Sequence, residues 1–164
     1  MRAAQIANLL DREAAIAAVI GYASALDARD WRAYRALFTD QIAIDYGSIG
    51  SIVATIAADE WTDRCRTLDG FDATAHQLHN LVCVVDGNTA CVTSIVDAVH
   101  FVTSGLGVAT AQLIGRYRHT LTRGAGGWLI AGVSLAVVGY PGGKAAFEAG
   151  FAVARNIFAS RNPA

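Results

Sequence analysis

Basic side chains are scarce in this sequence, and lysine is almost absent. Lys144 is the only lysine among 164 residues, and the formal net charge is −1 at pH 7. A nucleic-acid interface needs clustered lysine and arginine side chains that neutralise phosphates. The sequence contains no basic run, so we expect no nucleic-acid partner.

Cysteine is also sparse. Cys65, Cys83 and Cys91 are odd in number and lack CxxC spacing. This pattern matches neither a zinc site nor a disulfide framework, and it suits a reducing compartment. The N-terminal segment is amphipathic and carries charged residues at 11–13, unlike the continuous apolar core of a signal peptide. We therefore expect a cytoplasmic protein.

Charged residues make up only 16% of the chain, whereas hydrophobic residues make up 54%. Ordinary soluble domains carry about 25% charged residues. Residues 82–101 form the one weak candidate for a membrane span, but they include Asp86, Asp97 and His100 and are rich in β-branched side chains, which indicates strands. An apolar pocket and a subunit interface explain the excess of hydrophobic residues better than a membrane span does. We therefore expect no membrane association, and we expect a homo-oligomer, either a dimer or a trimer.

The N-terminal half predicts helices. Apolar residues recur at helical spacing from Ala15 to Leu26, with Asp11 as the expected N-cap. Shorter helices are predicted over residues 30–38 and 58–68, with a strand over 42–46 between them. Glycines at 47 and 50 indicate a turn after that strand.

From residue 75 onward the pattern changes to long strands. They are predicted over residues 75–85, 89–103, 109–123 and 128–140, with an Asp-Gly-Asn hairpin turn at 86–88. A mostly apolar helix is predicted over 144–160. Helices followed by an antiparallel meander predict a single α+β domain over residues 1–164, with its core at about 8–140 and the helices packed in the hollow of a curved sheet.

Several ionisable side chains occur in apolar surroundings. Asp27 follows Leu26 at the end of the helical stripe and is either a helix cap or a pocket acid. By strand alternation, His76 and Asn80 lie on one face and His79 and Leu81 on the other. His100 occurs in an apolar strand, where a charged imidazole is costly, so it is either hydrogen-bonded in the core or facing a cavity.

Tyrosines and arginines supply further candidates. Three phenol groups in apolar segments need a partner if they are buried: Tyr22, Tyr46 and Tyr117. Arg116 and Arg118 alternate with Tyr117 and His119 along one strand. One of these two pairs faces the pocket and the other faces an interface or solvent, and alternation alone does not decide which.

Other chemistries have little support. The sequence has no GxSxG elbow, no P-loop and no GxGxxG turn at a strand–helix junction. His76 and His79 point to opposite faces and cannot share a metal, while a site between His76 and His100 is left open. We expect no metal and no cofactor.

The ordered segments YASALDARDWRAYRALFTDQIAIDYGSIG, DATAHQLHN, VDAVHF and GRYRHTL resemble the SnoaL-like family of the nuclear transport factor 2-like superfamily. Scytalone dehydratase and bile-acid 7α-dehydratase are members with related motifs. The resemblance covers about residues 8–138. It implies a cone-shaped α+β barrel with helices packed against the concave face of the sheet.

The resemblance also implies roles for individual residues. Asp27 matches the aspartate that orients the catalytic histidine, and His76 matches that histidine, the general base and acid. The other matched positions, which would contact the substrate, are Tyr22, Tyr46 and His100. Arg116 is near the position of an asparagine of scytalone dehydratase, which this sequence lacks, and an arginine there would suit a substrate carboxylate or enolate. Leu26 replaces a tyrosine of scytalone dehydratase, so the substrate is expected to differ from scytalone.

The resulting functional hypothesis is a cofactor-independent lyase. It would dehydrate a small apolar cyclic substrate, polyketide-like or steroid-like, by means of the Asp27–His76 pair. An isomerase or cyclase in the same pocket is an alternative. An epoxide hydrolase would need a second pocket aspartate, for which only Asp97 is available. A non-catalytic small-molecule-binding protein is the remaining alternative.

Overall fold

A computed structural model describes residues 2–105 and 107–163 of the chain. Within these residues the chain forms four α-helices and six strands. In chain order they are α1 (Arg2–Ala28), α2 (Trp31–Ala36), β1 (Phe38–Asp45), β2 (Val53–Ala57), α3 (Ala58–Cys65), β3 (Ala73–Asp86), β4 (Thr89–Ser104), β5 (Gly107–Gly124), β6 (Gly127–Gly139) and α4 (Lys144–Arg161). Short 3₁₀ helices occupy Gly47–Ile49 and Arg66–Gly70.

The six strands form one curved sheet in the order β2-β1-β6-β5-β4-β3. All neighbours pair antiparallel except β1 and β6, which run parallel. The sequence predicted the α+β class and the meander β3 to β6 correctly. The sheet is larger than expected because the short strand β2 extends it, and it stays open between β2 and β3 instead of closing into a barrel.

Helix α1 lies against the sheet and begins earlier than expected. The prediction that Asp11 caps this helix was wrong, because the helix already begins at Arg2. Both carboxylate oxygens of Asp11 instead accept hydrogen bonds from Arg123, each at 2.9 Å. The buried side of the helix follows the predicted stripe and includes Val19 and Tyr22. This stripe places the end of α1 over the hollow of the sheet, close to β3.

Alternation along β4 and β5 separates an inner face from an outer one. On β5 the side chains of Leu113, Tyr117 and His119 are buried, whereas Arg116 and Arg118 are exposed. Apolar burial of this kind contributes about 1.5–3 kcal/mol for each large side chain. The alternation therefore decides which residues reach the hollow.

A bulge in β3 shifts its alternation. The pairing with β4 changes register between His79 and Val82, and Asn80 has a positive φ of 52°. Asparagine tolerates this left-handed conformation better than most residues. Leu81 consequently packs against the core and Asn80 is exposed, which reverses the faces that simple alternation predicted for these two residues.

Helix α4 packs across the sheet and has nearly the predicted bounds. It approaches its neighbours closely at two glycines. A Cβ on Gly70 would collide with the carbonyl oxygen of Ala154, and a Cβ on Gly150 would lie 2.8 Å from that of Ala111. These contacts bring α4 against the end of the hollow. Among the described residues, no helix combines the length and apolar character needed to cross a bilayer.

Candidate active site

Asp27 and His76 form a hydrogen-bonded pair at the edge of the hollow. Asp27 is in the last turn of α1 and His76 is near the beginning of β3. The distance from His76 Nδ1 to Asp27 Oδ1 is 2.7 Å, and the His76 backbone N–H donates to Asp27 Oδ2 at 2.8 Å. The imidazole side chain is only 6% exposed. The two contacts fix both the carboxylate and the ring.

The carboxylate is ionised, and this sets the tautomer of the histidine. Burial acts to raise the pKa of Asp27, but hydrogen bonds from His76 and Thr74 outweigh it and hold the pKa below its usual value of 3.8. An ionised carboxylate only accepts hydrogen bonds, so Nδ1 of His76 carries the proton. His76 lines the cavity, and in the neutral ring its Nε2 is the nitrogen that accepts a proton.

A second set of contacts positions the carboxylate. The Thr74 hydroxyl donates to Asp27 Oδ1 at 2.8 Å, and it accepts a 2.8 Å hydrogen bond from Arg29. Arg29 has a positive φ of 57° directly after α1, and its guanidinium also donates to the Leu26 carbonyl at 2.7 Å. Asp69 lies 3.6 Å from the Arg29 guanidinium. The end of α1 is thus tied to β3 through side chains that contact the acid.

Three tyrosines form a hydrogen-bonded chain in the hollow. Tyr22 and Tyr46 hydroxyls lie 2.8 Å apart, and Tyr46 donates to Tyr117 at 3.4 Å. Each phenol has one proton, so Tyr22 donates to Tyr46 and the proton of Tyr117 is the one left for another acceptor. Burial raises the pKa of Tyr22 and Tyr46 well above 10 and that of Tyr117 to about 12. All three phenols are therefore neutral donors.

His100 lies beside the pair as a second, neutral imidazole. Its Nδ1 lies 2.9 Å from the carbonyl oxygen of Ala111, and its ring meets that of His76 edge to face at 5.2 Å. A carbonyl only accepts, so Nδ1 is protonated and Nε2 is an acceptor. Burial lowers the pKa of His100 to about 3. This histidine therefore cannot supply positive charge at neutral pH.

The hollow contains a cavity of about 400 Å³. His76, His100 and the three tyrosines line it. Most other lining residues are apolar: Leu26, Ile49, Trp61, Leu68, Ala98, Leu113, Leu135, Phe147 and Phe151. Such a cavity is large enough for a small organic molecule and presents polar groups at few points.

The structure brings together five of the six residues predicted for the site. Asp27, His76, Tyr22, Tyr46 and His100 meet at this cavity or directly behind it. The prediction that Arg116 faces the pocket was wrong. Arg116 is exposed on the outer face of β5, because strand alternation points Tyr117 inward and its neighbours outward.

Several residues of the site escaped the sequence analysis. The sequence indicates Tyr117 only as a phenol that needs a partner if it is buried, because alternation puts Tyr117 and Arg116 on opposite faces of the strand without deciding which face lines the pocket. No sequence pattern indicates a role for Thr74 or Arg29. Thr74 contacts Asp27, 47 residues away in sequence, and Arg29 contacts Thr74, 45 residues away, so both roles depend on the tertiary fold. The cavity residues of α3 and α4 became recognisable only when these helices were placed against the sheet.

Asp97, the remaining acidic candidate, points away from the cavity. Asp97 is on the other face of β4 from His100 and accepts a 2.7 Å hydrogen bond from Gln112. It does not line the cavity. Across residues 2–105 and 107–163, no three His, Cys, Asp or Glu side chains converge as metal ligands.

The fold is an open α+β cone with a ligand-sized cavity in its hollow. The model of the SnoaL-like domain matches residues 7–134 of this chain. The protein belongs to the SnoaL-like family. A search of curated protein sequences finds no significant match.

Solved structures share the fold at low sequence identity. The Kfla4162 protein from Kribbella flavida is 24% identical, with a TM-score of 0.77 over 89% of this chain and 97% of that one. A protein from Novosphingobium aromaticivorans, provisionally named a scytalone dehydratase, is 24% identical, with a TM-score of 0.69 over 80% and 86%. An NTF2-like protein with a cystatin-like fold from the same organism is 22% identical, with a TM-score of 0.64 over 88% and 93%.

Proposed function

We propose that this protein is a cofactor-independent lyase that dehydrates a small, largely apolar β-hydroxy carbonyl compound. The observation that carries the proposal is the 2.7 Å contact between Asp27 and Nδ1 of His76, which leaves Nε2 as an unprotonated base at the cavity. The provisional names of two structural relatives, a scytalone dehydratase and a dehydratase of the NTF2-like family, agree with this chemistry.

Proton abstraction is the first step of the proposed reaction. Nε2 of His76 takes the proton from the carbon next to the substrate carbonyl, and the electron pair of that C–H bond moves into an enolate. The resulting imidazolium is stabilised by the carboxylate of Asp27 at 2.7 Å. General acid–base catalysis of this kind contributes about 10²–10⁴-fold to the rate.

Loss of the hydroxyl completes the reaction. The enolate electrons form the carbon–carbon double bond, the C–O bond to the β-hydroxyl breaks, and Nε2–H of His76 donates its proton to the departing oxygen. Water and an unsaturated carbonyl compound are the products, and His76 returns to its starting state. One imidazole serves both steps, since no carboxylate is among the described residues that line the cavity.

The tyrosine chain is suited to hold the substrate carbonyl. In the proposed complex, Tyr117 donates its free proton to the carbonyl oxygen, and Tyr46 and Tyr22 support it through their own hydrogen bonds. The high pKa values of these phenols keep them protonated at neutral pH. Donors placed before the charge develops stabilise an enolate oxygen without reorganisation.

The test compares variants of the pair on a cyclic β-hydroxy ketone. 3-Hydroxy-1-tetralone is a suitable probe, because its dehydration yields fluorescent 1-naphthol. We expect His76→Gln and Asp27→Asn to lower kcat/KM by about 10²-fold or more. His79→Gln is the matched control, since His79 is on the same strand but exposed. Full activity in His76→Gln would overturn the mechanism.

A second measurement separates elimination from isomerisation. In D₂O the proposed base exchanges the proton next to the carbonyl of 1-tetralone, which has no hydroxyl to lose. Exchange together with dehydration of the hydroxylated probe supports a lyase, whereas exchange alone favours an isomerase. Binding of both ketones without exchange or dehydration would favour a non-catalytic binding protein and contradict the proposal.

We also propose that the chain forms a homo-oligomer. Large apolar side chains remain exposed on the sheet, including Val82, Val84, Val108 and Val138, which are 56–71% exposed. Burial of apolar surface drives most protein association. Light scattering after size exclusion tests the proposal, and a monomer at micromolar concentration would contradict it.

A further inference from the structure

Two arginines stand at the cavity, one on each helix that covers it. Arg64 is on α3 and Arg155 is on α4, and both line the cavity. Both side chains are exposed to solvent. No aspartate or glutamate is among the described lining residues, so the charged side chains that line this part of the cavity are both cationic.

The two guanidinium groups retain capacity for a ligand. Glu60 accepts hydrogen bonds from Nε and one terminal nitrogen of Arg64, at 3.1 and 2.8 Å, and the other terminal nitrogen has no partner among the described residues. Within the part of the chain that the structure describes, no carboxylate oxygen lies within 4 Å of the guanidinium nitrogens of Arg155. A planar guanidinium suits carboxylates and phosphates, which it can bind through two parallel hydrogen bonds.

One face of α4 is apolar where it is buried and cationic where it reaches solvent. Phe147, Phe151 and Arg155 are four residues apart and share one face of the helix. Phe147 is buried, Phe151 is half-buried and Arg155 is exposed, and the ring of Phe151 lies 4.9 Å from that of His100. Arg155 follows Phe151 by about 6 Å of helix rise. The cavity thus has an aromatic inner part and a basic mouth.

We infer that the substrate has an apolar body and one anionic group, a carboxylate or a phosphate, which Arg64 and Arg155 bind at the mouth of the cavity. This inference rests on the proposed function of the same cavity. The apolar body fills the hollow as far as His76, and the anion remains at the exposed rim. An anion that stays partly hydrated there avoids most of the desolvation cost of burial. Arg116, which the sequence suggested for an anion, is on the opposite face of the sheet.

The test measures displacement of a neutral fluorescent probe, N-phenyl-1-naphthylamine, from the protein at pH 7. Three competitors share the naphthalene body: neutral 1-naphthamide, 1-naphthoate and 1-naphthyl phosphate. We expect at least one anion to bind about tenfold more tightly than the amide, the ratio that one good charge-assisted hydrogen bond provides. The tighter anion identifies the group that the mouth binds. Equal affinities for all three compounds would overturn the inference.

Variants assign the effect to the two arginines. We expect Arg64→Gln and Arg155→Gln each to lower the affinity for the preferred anion by about five- to tenfold. Binding of 1-naphthamide should change less than twofold. Arg116→Gln is the matched control, because it removes the same charge from the outer face. An equal loss in this control would show a general charge effect and contradict the assignment.

Turnover and the binding preference for the anion distinguish a failure of the proposed function from a failure of this inference. His76→Gln should lose turnover but keep the preference for the anion, because His76 and the two arginines contact different ends of the ligand. If His76→Gln keeps turnover, the mechanism fails while the binding ratios still decide the role of the arginines. If the two anions bind no more tightly than 1-naphthamide and His76→Gln is inactive, only the inference about the anion fails.

Discussion

The Thr74 hydroxyl and the His76 ring donate to the same carboxylate oxygen, Oδ1 of Asp27, at 2.8 and 2.7 Å. Thr74 is two residues before His76 on β3, so one strand supplies both the base and a group that positions its partner. Arg29 donates to the Thr74 hydroxyl and thereby orients its proton toward the acid. The acid–base pair is therefore part of a larger network.

The network predicts a measurable role for Thr74. We expect Thr74→Val to lower kcat about tenfold, because a charge-assisted hydrogen bond to the carboxylate is lost. Loss of this donor also raises the pKa of Asp27, so the loss of activity that follows protonation of this carboxylate should begin at a higher pH. The pH profile of kcat checks both effects. Thr74→Ser keeps the hydroxyl and should behave like the wild type, and a normal profile in Thr74→Val would contradict this role.

Tyr117 should matter most among the tyrosines. We expect Tyr117→Phe to reduce kcat by about 10²-fold, as loss of one oxyanion donor does in other enzymes. Tyr140→Phe is the matched control, because Tyr140 packs on Phe147 and does not line the cavity. Single-turnover rates with 3-hydroxy-1-tetralone give the comparison. Equal rates in the two variants would remove Tyr117 from the proposed mechanism.

His119 makes stability depend on pH. It is fully buried between the rings of Tyr22 and Tyr117, and within the described chain neither ring nitrogen has a hydrogen-bond partner. Burial lowers its pKa to about 3, against about 6.5 in an unfolded chain. Between these values only the unfolded state binds the proton, so this residue makes stability fall as the pH is lowered from about 6.5 toward 3.

Replacing His119 tests this dependence. From pH 7 to pH 5 the free energy of unfolding of the wild type should decrease by about 2 kcal/mol more than that of His119→Leu. Urea unfolding at both pH values measures the difference. The exposed His79 provides the control variant His79→Gln, which should follow the wild type. Parallel decreases in the wild type and His119→Leu would show that His119 is not the group responsible.

Gly70 controls the placement of α4. Because a Cβ at this position would meet the backbone of Ala154, we expect Gly70→Ala to destabilise the protein by about 1–3 kcal/mol through overpacking. Faster hydrogen exchange in α4 should accompany the loss. Gly126→Ala is the control, since a Cβ there meets nothing within 4 Å. Unchanged exchange in α4 would indicate that the helix adapts to the extra methyl group.

Strand alternation was a good guide to the sheet but an incomplete one to its faces. It correctly separated Arg116 from Tyr117 and His76 from His79. It failed at Asn80 and Leu81, because a bulge adds a residue and reverses the faces beyond it. The open edge at β2 was also beyond its reach, since Val53–Ala57 is a short strand with little buried surface.

The sequence by itself determined most of the helices and long strands, the alternation of side chains along those strands and the residue types available for acid–base chemistry. These properties depend on local periodicity, which a linear pattern contains. Only the tertiary structure decided that Asp27 and His76 touch, although 49 residues separate them, and that Arg64 and Arg155 rather than Arg116 stand at the cavity. Those contacts depend on how the helices pack on the curved sheet and on which face of the sheet is concave. The spacing of residues along the chain specifies neither of these.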